Sequence, residues 1–205
     1  MENKANQFSK YEAGIDEAGR GTLCGRVYTA AVILPDVESF PDDTYLKIKD
    51  SKKCSKKLRD TLRKYIETNA LAFSVAYADV DEIDEVNILQ ATMNSMHRAI
   101  SGLKIIPDAL AVDGSYFKTY IDNNGDFVPH TLVTGGDNKY RNIAAASILA
   151  KTYHDEHIQK LLFDEPELEK YGWATNMGYG TKKHLEAIQI HGISKYHRRS
   201  FAPCK

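Results

Sequence analysis

A chain of 205 residues with 42% hydrophobic content can build one sizeable core, and a formal net charge of −1 does not mark it as a polybasic nucleic-acid binder. It has no run of about 18 apolar residues, and its N-terminal MENKANQFSK lacks an apolar h-region, so membrane and secretory readings drop out. Three cysteines, Cys24, Cys54 and Cys204, form no C-x-x-C pair; this argues against a disulfide framework or zinc ribbon and points to a cytoplasmic protein.

Residues 11–15 and 26–34 are β-branched or aromatic enough for two antiparallel strands, joined by a turn from Glu17 to Gly25. A surface loop rich in Pro and Asp follows, and then Asp50-Ser51-Lys52-Lys53 leads into a helix capped by Ser55 that runs to Asn69. Residues 71–78 read as a third strand. Asp81 is the expected cap of a longer helix, on which Met93 and Met96 keep helical spacing as core filler. Ala109-Leu110-Ala111-Val112 is a short buried strand that delivers Asp113 at its C-terminal end, and residues 127–133 read as one more strand.

The clearest helix spans residues 142–163 and carries Ser147, Lys151 and Asp155 at i, i+4 and i+8, hence on one face. Pro166 punctuates the chain, Gly172 to Gly180 reads as irregular, and residues 181–191 form a last helix before the basic end at Lys195, His197, Arg198 and Arg199. The order of elements predicts an α/β fold, a mixed sheet flanked by helices with a helical C-terminal segment.

Asp16 and Glu17 interrupt an apolar run beside Gly14, Gly19, Arg20 and Gly21, a composition that suits metal ions and phosphate oxygens. With Asp113 and Asp155 they make an all-oxygen set, which favours Mg²⁺ or Mn²⁺ over zinc and points to phosphoryl-transfer chemistry. Each also has a plainer reading: a solvated turn for Asp16 and Glu17, a self-bonded turn residue for Asp113, a water-facing helical aspartate for Asp155. No G-x-G-x-x-G, Walker loop or G-x-S-x-G elbow is present.

Five segments carry a family likeness: Gly14-Ile15-Asp16-Glu17-Ala18-Gly19-Arg20-Gly21; Asp50-Ser51-Lys52; Ala145-Ala146-Ser147-Ile148-Leu149-Ala150-Lys151 followed by Asp155; Gly178-Tyr179-Gly180-Thr181 with His184; and His197-Arg198-Arg199-Ser200-Phe201. In this order, across nearly the whole chain, they resemble ribonuclease HII, of the type 2 ribonuclease H family. The resemblance implies a ribonuclease H-like five-stranded sheet in a single domain over residues 1–205, with roughly the last 40 residues forming a helical substrate-binding appendage. It implies an endonuclease, acting as a monomer, that cuts the RNA strand of RNA–DNA hybrids and nicks duplex DNA 5′ to an embedded ribonucleotide, leaving 3′-hydroxyl and 5′-phosphate ends.

By the same likeness Asp16, Glu17, Asp113 and Asp155 hold the metal, and Gly19, Arg20, Gly21 and Tyr179 read the ribose. Lys52, Ser147, Lys151, His184, Arg198 and Arg199 are expected along the substrate backbone. His154 and Met177 depart from the family pattern, at positions where an arginine and a basic residue are expected. The short segment before the first strand is too small for the extra N-terminal domain of the type HIII enzymes. A binding module without catalysis, and a nuclease blind to the sugar, are the competing readings.

Overall fold

The computed structural model describes residues 1–205. Five strands form one mixed sheet: β1 (Glu12–Ala18), β2 (Val27–Ile33), β3 (Ala72–Ala78), β4 (Ala109–Asp113) and β5 (His130–Val133), in the order β3-β2-β1-β4-β5. The first three strands pair antiparallel, while β1 with β4 and β4 with β5 pair parallel. Helices α1 (Lys56–Asn69) and α3 (Arg141–Asp164) cover one face, and α2 (Val80–Ser101) covers the other. Two short C-terminal helices, α4 (Trp173–Asn176) and α5 (Lys182–His191), pack against the far end of α3 around Trp173, Tyr171 and Leu168.

The two faces of β1 divide its residues as the pleat requires. Ala13 and Ile15 join Met93, Met96, Ile100, Leu110 and Val112 in the core beneath α2, so both methionines fill core space as their spacing predicts. Gly14 and Asp16 lie on the opposite side, under α3. That helix comes so close that a side chain at Gly14 would strike the backbone of Asn142 and Ile143. The alanine run of α3, Ala144 to Ala146 with Ala150, keeps the helix surface low enough for this approach, and every one of these residues is fully buried.

Three boundaries differ from expectation. Strand β1 continues through Asp16, Glu17 and Ala18, whose backbones pair with Ala30, Thr29 and Tyr28 of β2. The carboxylates are tolerated there because the neighbour on the other side, β4, ends at Asp113 and leaves the end of β1 open. Helix α2 is capped by Asp79 rather than Asp81, its carboxylate accepting from the Glu82 N–H at 3.0 Å. The helix is also broken at Asn87, at φ 69°, whose side chain accepts from the Leu89 and Gln90 N–H groups and so caps the second segment. Ser55 caps α1 as expected. No helix is long and apolar enough to cross a membrane.

Candidate active site

The parallel register of β1 and β4 sets Ile15 beside Val112, so the next residues along, Asp16 and Asp113, project from neighbouring strand ends on the same face. The same rule applied to β4 and β5 sets Asp113 beside Val133. The chain leaving β5 turns through Gly135 and Gly136, the Gly136 N–H donates to Asp113 Oδ1 at 2.7 Å, and Asp137 follows. All of this opens into a pocket of about 490 Å³ lined by Asp16, Glu17, Asp113 and Asp137, with Ser147 and Lys151 of α3 on one wall. The site therefore sits beyond the C-terminal ends of the parallel strands, where sheet side chains run out and loops begin.

Electrostatically this wall is under strain. Burial raises the Asp16 carboxyl well above its ordinary value, and Glu17 and Asp113 push it further up; a bond from Ser147 and the Glu17 N–H at 2.7 Å only partly offset this. Glu17 is raised as well, by burial and by Asp113, against the Arg20 guanidinium 3.5 Å away. Asp137 is raised by burial, by Asp50 and by Asp113. Side-chain oxygens that resist ionising together are what a hard divalent cation would relieve, and no histidine or cysteine lines this pocket. No three of these side chains stand close enough together to enclose an ion by themselves. The residues present fit Mg²⁺ or Mn²⁺.

The same pocket is lined by the loop after β1, through Gly19, Arg20 and Gly21, together with Lys52, Ser51 and Tyr179. Gly19 has φ +82°, and a side chain there would strike the buried His154 ring. Gly21 differs: the nearest atom to a Cβ would be on the Tyr179 ring at 4.0 Å, so the space between the two is open to a ligand. The loop is fastened from behind. Leu23 N–H donates to Gly178 O at 2.9 Å and Gly25 N–H to Tyr196 O at 2.8 Å, which ties it to the C-terminal segment that carries Tyr179.

A protein-family model described as ribonuclease HII matches residues 13–204. The chain is 49% identical to the ribonuclease HII of Parabacteroides distasonis over 195 residues, covering 95% of this chain and 92% of that protein. It is 50% identical to a ribonuclease HII of Bacteroides fragilis over 190 residues, 93% of this chain and 88% of that one. The chain belongs to the ribonuclease HII family. It is accordingly a metal-dependent endoribonuclease with ribonuclease H activity. Among solved structures, ribonuclease H2 from Pyrococcus horikoshii superposes with a TM-score of 0.74 at 23% identity, covering 94% of both chains. Bst-RNase HIII in complex with Mn²⁺ gives a TM-score of 0.68 at 17% identity over 95% of this chain and 68% of that one; both share the fold.

Several residues expected at a ribonuclease HII site lie elsewhere. Asp155 is outside the carboxylate pocket: eight residues of helix put it about 12 Å along α3 from Ser147, and it lines an adjoining groove with Arg59 and Gln159. Asp137, which the sequence reading missed, lines the pocket instead. The signal was present, since Asp137 follows a short strand and a Gly-Gly turn much as Asp113 follows β4, but β5 is only four residues long and half exposed.

His184 and Arg198 are buried structural groups, not backbone contacts. His184 Nε2 accepts from Trp173 Nε1 at 3.1 Å and lies 3.0 Å from His197 Nε2, while its Nδ1 bonds Tyr179 O at 3.0 Å. The Arg198 guanidinium donates to the carbonyls of Gly19, Arg20 and Gly25 at 2.7, 3.0 and 3.0 Å. Arg199 borders a different cleft, its N–H bonded to Asp84 at 2.9 Å. The departures also have structural places: His154 is completely buried beneath Gly19, and Met177 takes a left-handed φ of 49° with its sulfur 3.7 Å from Gln159 Nε2.

Proposed function

We propose that this chain cuts the RNA strand of RNA–DNA hybrids and nicks duplex DNA on the 5′ side of an embedded ribonucleotide, as a monomer, by two-metal-ion hydrolysis that leaves 3′-hydroxyl and 5′-phosphate ends. The observation that carries this is the sharing of one pocket by the carboxylates and the Gly19–Gly21 loop with Tyr179. Asp16, Glu17, Asp113 and Asp137 are the residues that would hold Mg²⁺ or Mn²⁺. When bound, such ions supply an activated water and charge stabilisation for the leaving oxygen.

The chain's own residues do the reading and positioning. The 2′-hydroxyl separates RNA from DNA, and the glycine backbone at Gly21 leaves room for a sugar to approach Tyr179 without a side chain between. Lys52 and Lys151 supply positive charge at the pocket wall, where phosphates position a duplex without reading its sequence. Arg20 faces both tasks: it stands in the ribose-reading loop and its guanidinium lies 3.5 Å from Glu17.

The test is cleavage of a duplex carrying one ribonucleotide, with products mapped to the nucleotide. Wild type with Mn²⁺ is expected to nick 5′ to the ribonucleotide, and Asp113→Asn to lose at least about a thousandfold in rate while still binding the duplex. A wild-type protein that binds Mn²⁺ and leaves this substrate intact overturns the specific reading. Equal cutting of an all-DNA duplex would show that the sugar is not read.

A further inference from the structure

Asp155 lies outside the pocket, yet its carboxylate is crowded. Oδ1 accepts from Lys151 Nζ at 2.8 Å and from His154 Nδ1 at 3.1 Å, and Oδ2 lies 3.6 Å from Arg59 Nη2. The side chain is largely buried, and so are those of Lys151, Arg59 and His154. This is a hub of charges in a partly desolvated place, where such contacts are far stronger than on an open surface.

Each partner belongs to a different wall of the site. Lys151 reaches into the pocket, its ammonium 5.4 Å from the centre of the Tyr179 ring. Arg59 donates through Nη1 to Ser51 O at 3.2 Å and Cys54 O at 2.8 Å, which holds the turn presenting Ser51 and Lys52. His154 fills the space directly beneath Gly19. One carboxylate thereby connects the ribose-reading loop, the Ser51–Lys52 turn and the lysine beside Tyr179.

We infer that Asp155 is a positioning residue: it fixes the Lys151 ammonium, and through Arg59 the Ser51–Lys52 turn, for contact with the phosphates of the bound strand, and it holds no metal. This rests on the proposed nucleic-acid substrate. A free lysine loses rotamer freedom when it is immobilised on a phosphate, and a lysine already held by Asp155 has lost much of it before binding. Burial favours the protonated form of Asp155, but the bonds from His154 and Lys151 outweigh it, so its carboxylate is ionised at neutral pH.

The experiment compares wild type, Asp155→Asn, Asp155→Glu, Lys151→Ala and the Asp155→Asn/Lys151→Ala double variant. Mn²⁺ binding is read by calorimetry, affinity for a labelled RNA–DNA hybrid across a salt series without divalent metal, and KM and kcat with Mn²⁺. Asp155→Asn is expected to bind Mn²⁺ within twofold of wild type, to bind hybrid about tenfold more weakly, and to lower the salt slope by about 0.9, one phosphate contact. Its KM should rise with kcat within about threefold, it should add less than twofold to the loss in Lys151→Ala, and Asp155→Glu should recover part of the affinity.

Loss of Mn²⁺ binding in Asp155→Asn, wild-type hybrid affinity, or fully additive losses in the double variant would each overturn the inference. Should Asp155→Asn fail to fold, Lys151→Ala alone must show the weaker binding and lower slope, and an unchanged slope overturns it equally. A wild type that binds hybrid and Mn²⁺ but never cuts defeats the proposed reaction while leaving the binding comparison decisive for Asp155.

Discussion

The Arg198 guanidinium is enclosed by three carbonyls and meets no carboxylate. Burial lowers its pKa to about 10, which still leaves it charged at neutral pH, and its planar fork suits carbonyls that face it from one curved loop. Arg198→Ala would strand all three acceptors and leave a cavity; we expect a loss of roughly 3 kcal/mol or more in urea denaturation. Arg198→Lys should recover only part, because one ammonium cannot span three separated carbonyls. If instead Arg198→Ala folded normally and changed only the salt dependence of hybrid binding, the residue would be a phosphate contact after all. A sequence shows that an arginine is present, and only the enclosing loop shows what it bonds.

Among the elements, the contact of α3 with β1 is the most demanding. Gly14→Ala would force the helix off the sheet by the width of a methyl group, and with it Ser147 and Lys151; we expect severe destabilisation, seen as loss of a cooperative thermal transition or insoluble protein. The C-terminal elements are joined by a neutral histidine pair instead. The Ser194 N–H donates to His197 Nδ1 at 2.9 Å, so His197 carries its proton on Nε2 and gives it to His184 Nε2, which also accepts from Trp173. His184 is then protonated on Nδ1 and donates to Tyr179 O, so the pair works only uncharged.

Burial, and then the neighbouring His184, lowers His197 from 6.5 to about 4. Burial lowers His184, His157 and His154 in the same direction. A histidine with a depressed folded-state pKa takes up its proton first in the unfolded chain, so stability rises with pH in this window. We expect full stability above about pH 6.5 and a loss of about 3 kcal/mol from His197 alone as pH falls toward 4. His197→Gln should flatten that slope in denaturant titrations at several pH values. An unchanged slope would mean that other groups govern it.

At the scale of the whole molecule, the carboxylate wall sets stability against function. Burial and two like charges oppose ionisation of Asp16, so folding without metal carries that cost. Asp16→Asn is therefore expected to raise the Tm of the metal-free protein by about 2 °C or more, while abolishing cleavage. Mn²⁺ at a hundred times its Kd should stabilise wild type by about 2.7 kcal/mol, reversed by chelation and much reduced in Asp16→Asn. A lower Tm for metal-free Asp16→Asn would mean that the carboxylate is structurally needed. The overall charge of −1 hides the arrangement, because the acidic wall and the cations Arg20, Lys52 and Lys151 line the same pocket and offset each other in the sum.

The strands, the cap of α1, the core role of Met93 and Met96, and the pairing of carboxylates with a glycine-rich loop could all be read along the chain, because period, capping and turn chemistry are local. Membership of the ribonuclease HII family was equally legible, since its motifs are contiguous words. Local patterns do not carry distance between elements. Asp155 shares a helix face with Ser147, and that face points at the site, yet the helix advances about 1.5 Å per residue and takes Asp155 past it. Asp137 stands on a turn with no periodicity to announce it, and only the parallel register of β1, β4 and β5 brings that turn to the carboxylates. His184 and Arg198 carry polar or charged side chains that read as surface groups, and the packing of the C-terminal segment against the loop after β1 turned them inward.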